Sequence, residues 1–432
     1  MTSTSDNVIK VLNHYESPAG SLCLPEEGEI NMTKDYTFGG ALPVAPLRIA
    51  ALKSCQDLGK KVDDYIVQFR KNDYKLLMKE QDSTLGIRGY DRDSYLIECD
   101  CPRFGSGEGK GVINSSVRGS DLFVMVDVMN HSLTYNVCGN VNHMSPDDHF
   151  ADLKRIISTA QPSAHRINVI MPFLYESRQH KRTKRESLDC AYALEELVNM
   201  GIDSIITFDA HDPRVQNAIP LFEFNNFMPT YQFLKTLFQS VPDLKIDKDH
   251  VMVISPDEGA MSRAVYLANN IGVDMGMFYK RRDYSRIVDG RNPIVAHEFL
   301  GSNVDGKDVL IIDDMISSGE SMIDTAKELK KRNANRIFVV STFGLFTNGF
   351  DSFDKAYEEG LIYRVVTTNL IYQSPELLSK EYYISCDMSK YIAYLIDTLN
   401  HDCSISDLLS PYDRIKKCVK KYNDEQKAAK NQ

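Results

Sequence analysis

The sequence predicts an α/β protein of two tandem domains, each a mostly parallel sheet flanked by helices. Three observations predict it. Short apolar runs without polar alternation recur along the chain, segments with helical spacing lie between them, and the series divides in two around a polar crossing segment. Strands buried on both faces read as near-continuous apolar runs, and strand–helix alternation belongs to sheets built from parallel crossovers. A chain of 432 residues is long enough for two cores.

The elements follow in order. Residues 1–35 are mixed and polar and are read as an N-terminal extension. Residues 47–70, LRIAALKSCQDLGKKVDDYIVQFR, carry apolar positions at helical spacing. The strands expected next are DLFVMVDV (121–128), RINVIMPF (166–173) and DSIITFDA (203–210), followed by HVMVISPD (250–257), DVLIIDD (308–314) and RIFVVSTF (336–343). Helical patterns fill the gaps at 187–201, 259–272 and 320–333. The division falls in the segment between about residues 220 and 250, which sets expected domains of 36–225 and 226–400 and a helical tail of 401–432. The lysine-rich tail reads as a frayed, solvated helix.

Composition narrows the function. A net charge of −10 argues against non-specific nucleic-acid binding, which rests on cations neutralising phosphates. No apolar run approaches the ~18 residues a membrane span needs. The first residues lack both a basic start and an apolar h-region, so no secretory signal is expected. The nine cysteines are scattered, only Cys99 and Cys101 are close together, and neither a zinc ribbon nor a CxxC pair is present. A reducing, cytoplasmic setting is expected.

The most informative stretch is VLIIDDMISSGES, residues 309–321. A buried strand ends in two carboxylates, Asp313 and Asp314, and then enters a serine- and glycine-rich turn that opens a helix. Ligands of open α/β sheets sit beyond the carboxyl ends of the strands, and consecutive backbone N–H groups at a helix start form a ready anion site. Carboxylates beside an anion site suit a ligand carrying hydroxyls next to a phosphate, as a pentose phosphate does. Read alone, the stretch serves equally as an ordinary strand end, turn and helix cap. GSGEGKG (105–111) is not a P-loop, because Lys110 is followed by glycine and the GxxxxGK[ST] spacing is absent.

The same stretch resembles the phosphoribosyl-diphosphate loop of type I phosphoribosyltransferases, D/E-D-x-x-x-T/S-G-x-T/S. Other segments resemble ribose-phosphate diphosphokinases, in the same order along the chain. FGSGE (104–108) with NSSVRGSDLFVM (114–125), INVIMPFLYESRQHKRTKRES (167–187), FDAHDPRVQ (208–216), VISPDEGAMSRA (253–264) and YKRRD (279–283) each match a family segment, over roughly residues 100–375. The resemblance implies two phosphoribosyltransferase-like domains. It also implies transfer of the diphosphoryl group of ATP to the C1 hydroxyl of ribose 5-phosphate with Mg2+, in a homo-oligomer, dimer or higher up to a hexamer, with neither nucleic acid nor membrane as partner.

By the same resemblance, Asp313 and Asp314 take the ribose hydroxyls, and Ser317, Ser318, Gly319 and Ser321 hold the 5-phosphate. His211 and Asp257 match metal positions, although magnesium prefers oxygen ligands. Lys280 and Arg282 match catalytic cations, followed by a Gly- and Pro-bearing stretch, IVDGRNPIV, suited to closing on substrate. Arg178 and Gln179 match contacts to the ATP phosphates. Phe104 and Glu108 match an adenine pocket that a neighbouring subunit completes.

The chain departs from the family pattern at Ser106, Ser317, Glu320 and Phe343, and carries an insertion, NVCGNVNHMSPDDHF (136–150). Two alternatives are therefore carried: a regulatory homologue co-assembling with a true synthetase, and a phosphoribosyltransferase. The first should have lost His211, Asp257, Lys280 or Arg282, and all four are present.

Overall fold

The computed structural model describes residues 41–80, 89–282 and 294–430, so the N-terminal extension lies outside the described residues. Strand β1 (Leu47–Ala51) leads through a short turn into α1 (Gln56–Glu80). A ribbon of β2 (Cys99–Asp100) and β3 (Val112–Ile113) precedes β4 (Asp121–Met125). The hairpin β5 (Thr134–Val137) and β6 (Asn140–His143) is followed by α2 (Pro146–Ala160), β7 (Arg166–Ile170), α3 (Asp189–Asn199), β8 (Ser204–Phe208) and β9 (Glu223–Phe227). These strands form a parallel sheet in the order β1-β4-β7-β8-β9.

Helix α4 (Thr230–Ser240) crosses to the second sheet, which begins with β10 (Val251–Ser255), α5 (Met261–Ile271), β11 (Asp274–Arg282) and β12 (Ile294–Gly301). It continues through β13 (Asp308–Ile316), α6 (Glu320–Lys330), β14 (Ile337–Gly344), α7 (Asp351–Glu358) and β15 (Arg364–Thr368). The chain closes with α8 (Pro375–Ser379), β16 (Tyr383–Cys386), α9 (Ser389–Asn400), α10 (Ser406–Leu409) and α11 (Tyr412–Lys430). The strand order is β12-β11-β10-β13-β14-β15-β16, parallel except for the β11–β12 pair.

Alternation along β13 shows how one strand serves two layers. Leu310 and Ile312 join the core that also fills the first sheet, while Val309 and Ile311 join a second cluster on the opposite face. The inner face of the second sheet thus continues the core of the first. Phe173 meets Phe343 edge-on at 4.9 Å across the seam. Helix α9 returns to the first domain, where Arg70 of α1, 1% exposed, donates to Asp397 at 2.7 and 2.9 Å. Asn400 lies against the same sheet, accepting from Val44 N–H at 2.8 Å and donating to Asp121 at 2.8 Å.

Two expectations are corrected. Residues 47–51, read as the start of a helical segment, form the fully paired strand β1, because long-range pairing with β4 outweighs the local spacing. The tail is docked rather than frayed. Ile415, Val419 and Tyr422 are buried, Tyr422 stacks on Phe238 at 4.1 Å, and its hydroxyl donates to the carbonyl of Pro242 at 3.0 Å. The described residues include no helix long and apolar enough to cross a membrane.

Candidate active site

Parallel strands of both sheets end at one cleft. His211 lies three residues past β8, Asp257 two residues past β10, and Asp313–Ser321 runs from the end of β13 into α6. Gly319 fixes this last turn. It has φ +82°, a region that side chains rarely adopt, and an added Cβ would lie 2.2 Å from the Phe353 ring. Only glycine brings the loop this close to the buried α7 aromatic. Ser317 and Ser318 are half-buried along the turn, and Ser321 sits in the first turn of α6. The first N–H groups of a helix have no acceptor within it, so this loop presents donors and a positive helix end. Glu320 is exposed, which keeps its carboxylate out of the turn.

The adjacent carboxylates differ. Asp314 is 3% exposed, and its Oδ2 lies 2.6 Å from His211 Nδ1 and 3.7 Å from the Arg263 guanidinium. Burial opposes its charge, but the His211 N–H and Arg263 prevail and hold the carboxyl below its usual range. Asp313 is only half-buried by exposure, yet desolvation, then the charges of Asp314 and Asp257, push its carboxyl well up. The pair thus offers one fixed anion turned into the protein and one carboxyl that readily holds a proton.

His211 gives Nδ1 to Asp314, which leaves Nε2 as its other donor atom. Carboxylates that orient an imidazole in this way commonly stand behind metal-ligating histidines. Asp257 accepts from the N–H of Gly259 at 2.9 Å through Oδ1, so Oδ2 is its remaining oxygen. Among the described residues no group of three or more His, Cys, Asp or Glu closes around one point. One imidazole and one carboxylate fit a magnesium ion that arrives with a phosphate ligand and keeps much of its water, not a dedicated protein cage.

From the first domain, the exposed Arg178 reaches over to β13, with Nε and Nη2 at 3.1 and 2.8 Å from Met315 Sδ. Its neighbour Gln179 is turned back to the carbonyl of Ser187 at 2.7 Å. Phe104 and Glu108 close a tight turn, Phe104 N–H donating to the Glu108 carbonyl at 2.7 Å. Ser106 donates its hydroxyl to the Glu108 carboxylate at 2.7 Å, and Phe104 is 55% exposed. The inserted hairpin sits on this turn: Cys138 N–H donates to the Gly105 carbonyl at 2.8 Å. Lys280 and Arg282 lie on β11, in register with His297 and Ile294 of β12, with a bulge between Arg281 and Arg282. Their side chains, and residues 283–293 of the expected closing loop, lie outside the described residues.

The structure therefore gathers His211, Asp313, Asp314, Arg178 and the Ser317–Ser321 turn in one cleft. It places the Phe104–Glu108 turn on a separate ribbon. Sequence reasoning missed Arg263, Asp209 and Thr342, which link these elements. Arg263 and Asp209 lay inside the quoted segments VISPDEGAMSRA and FDAHDPRVQ, but nothing local marks two distant residues as partners.

Comparison with known proteins fits this architecture. Residues 47–201 match the family model for the N-terminal domain of ribose phosphate pyrophosphokinase, and residues 229–362 match the phosphoribosyl transferase domain. A ribose-phosphate pyrophosphokinase of Vibrio parahaemolyticus is 27% identical over 316 residues, covering 72% of this chain and 90% of the relative. One from Mycoplasma genitalium is 29% identical over 277 residues, covering 63% of this chain and 75% of the relative. The crystal structure of phosphoribosylpyrophosphate synthetase from Mycobacterium smegmatis shares the fold, with a TM-score of 0.63 at 19% identity over 82% of this chain and 99% of that one. With both domain models matched in tandem over most of its length, the chain belongs to the ribose-phosphate pyrophosphokinase family.

Proposed function

We propose that this protein is a ribose-phosphate diphosphokinase. It transfers the diphosphoryl group of ATP to the C1 hydroxyl of ribose 5-phosphate, giving 5-phosphoribosyl 1-diphosphate and AMP. The observation that carries the reading is the hydrogen bond at 2.6 Å between His211, at a strand end of the first sheet, and Asp314, at a strand end of the second. A nucleotide half-site and a sugar-phosphate half-site share one wall.

The 5-phosphate is received by the Ser317–Ser321 turn, through Ser317, Ser318, Gly319 and Ser321. Asp313 accepts from a ribose hydroxyl, and its raised affinity for a proton also lets it donate. Asp314, held ionised, contributes its field and keeps His211 in place. On the nucleotide side, Phe104 stacks on the base, Glu108 accepts from an exocyclic amine, and Arg178 and Gln179 bind the phosphates. The diphosphoryl group must be held in line with the C1 hydroxyl, and the charge gathering on its oxygens must be met by cations. Lys280 and Arg282 supply them. Magnesium, held by His211 and Asp257 together with the phosphates, supplies further neutralisation when bound. The enzyme works in the cytoplasm as a homo-oligomer.

The test is AMP release from ATP with and without ribose 5-phosphate, in magnesium and phosphate buffer, beside Lys280→Ala. AMP formation that requires the sugar and drops by a factor of about a thousand in the variant, the scale at which transition-state cations act, supports the reading. Ribose 5-phosphate binding without AMP formation replaces it with the regulatory homologue.

A further inference from the structure

We propose that Arg263 is a positioning residue that holds the His211 bend of the first domain in register with the sugar-phosphate loop of the second. The inference rests on the function proposed above. Arg263 projects from α5 and is 7% exposed. Its Nε donates to Asp209 Oδ1 at 2.6 Å, and its Nη2 to the backbone carbonyls of Ala210 and His211 at 3.1 and 3.4 Å. The same Nη2 lies 3.7 Å from Asp314 Oδ2, the atom that receives His211. One side chain therefore contacts three consecutive residues of the bend and the carboxylate that orients the imidazole.

The bend needs such a clamp. Asp209 has φ +40°, the left-handed region, which a non-glycine residue keeps only when its surroundings enforce it. Those surroundings come largely from the other domain. Arg263 takes one carboxylate oxygen of Asp209, and the Thr342 hydroxyl donates to the other at 2.6 Å. To β9 of its own sheet the bend donates Asp209 N–H to the Phe227 carbonyl at 2.9 Å and Ala210 N–H to the Asn226 side-chain carbonyl at 3.0 Å. A guanidinium fork suits this task, because several acceptors must be met at once from one rigid plane. A lysine of equal charge reaches fewer of them. In this role Arg263 acts through His211.

The experiment is a double-variant cycle on the full chain, with kcat and KM for both substrates read from AMP formation. Arg263→Lys is expected to lower kcat by about tenfold or more, since a misplaced group costs that much even when charge is kept, while the melting temperature falls by only a few degrees. In a His211→Ala background the same substitution is expected to add less than about twofold. Equal fold-losses in both backgrounds, or an unchanged kcat in Arg263→Lys, overturn the proposal and leave Arg263 a domain contact alone. Should Arg263→Lys fail to fold, Thr342→Val removes the other grip on Asp209, and the same non-additivity with His211→Ala is required. If the wild-type chain forms no AMP, the functional reading fails by itself. Binding of a non-hydrolysable ATP analogue with magnesium then carries the cycle, and Arg263→Lys must weaken that binding only when His211 is present.

Discussion

The two proposed half-sites are built differently. The sugar-phosphate side is a turn pinned by packing: β13 is paired on both flanks, Gly319 closes on the buried Phe353, and Asp314 is nearly inaccessible. The nucleotide side is made of exposed pieces. Phe104 stands 55% open on a ribbon turn, and Arg178 rests on the sulfur of Met315, a weak acceptor that a phosphate oxygen can displace. A rigid half suits a ligand of one fixed shape, whereas an open half can be ordered by its ligand at some cost in affinity. Substitutions on the first side should therefore damage fold and binding together, and those on the second should change binding alone.

The largest effect is expected at Gly319. Gly319→Ala drives a methyl into Phe353 at a positive φ, so ribose 5-phosphate binding, measured by calorimetry, should fall by about a hundredfold or more. Stability should drop with it by on the order of 2–3 kcal/mol in chemical denaturation. Next comes the contact that ties the two domains together from behind. Arg70→Leu strips the buried Asp397 of its guanidinium and leaves His401 Nδ1 at 3.6 Å beside it, and should cost about 3 kcal/mol. On the open side, Phe104→Ala should raise KM for ATP roughly five- to thirtyfold, the scale of one lost base–aromatic stack, with no change in melting temperature. Any loss of stability there would break the contrast between the halves.

A pH-dependent effect concerns Asp127, at the seam. It is buried, and among the described residues its oxygens accept from backbone, Met129 N–H at 2.8 Å and Tyr372 N–H of the second domain at 2.7 Å. Burial pushes its carboxyl up to about 7, from an ordinary 3.8. The folded state thus holds a proton that the unfolded chain releases. Its contribution to stability is full below pH 3.8 and is lost progressively as the pH climbs to about 7. Melting temperatures measured between pH 5 and 8 should show this decline, and Asp127→Asn should flatten it.

How much of this was legible depends on the range over which each feature is encoded. The six apolar runs all lie on strands of the two sheets, because strands buried on both faces announce themselves in local composition. The 309–321 turn was legible for a similar reason: carboxylates, hydroxyls and one glycine at set spacing are a local requirement. Strand β1 was not, since LRIAA becomes a strand only by pairing with residues 121–125. The docked tail was legible in principle, with Ile415, Val419 and Tyr422 on one helical stripe, but four lysines nearby made the stretch read as solvated. The clamp of Arg263 on Asp209 and Asp314 joins positions 54 and 51 residues away, and no periodicity records such a meeting.

The return of α9 to the first sheet also constrains how the protein can be made. Val44, Arg70, Asp121 and Arg166 each find a partner among residues 397–400. While the nascent chain emerges, the first sheet is built early but stays one helix short until residues 389–400 are synthesised. A ribosome that stalls, or a cut placed in the crossing segment, releases a sheet with charged groups buried for a partner that never arrives. The two halves are separate in chain order and a single unit in folding.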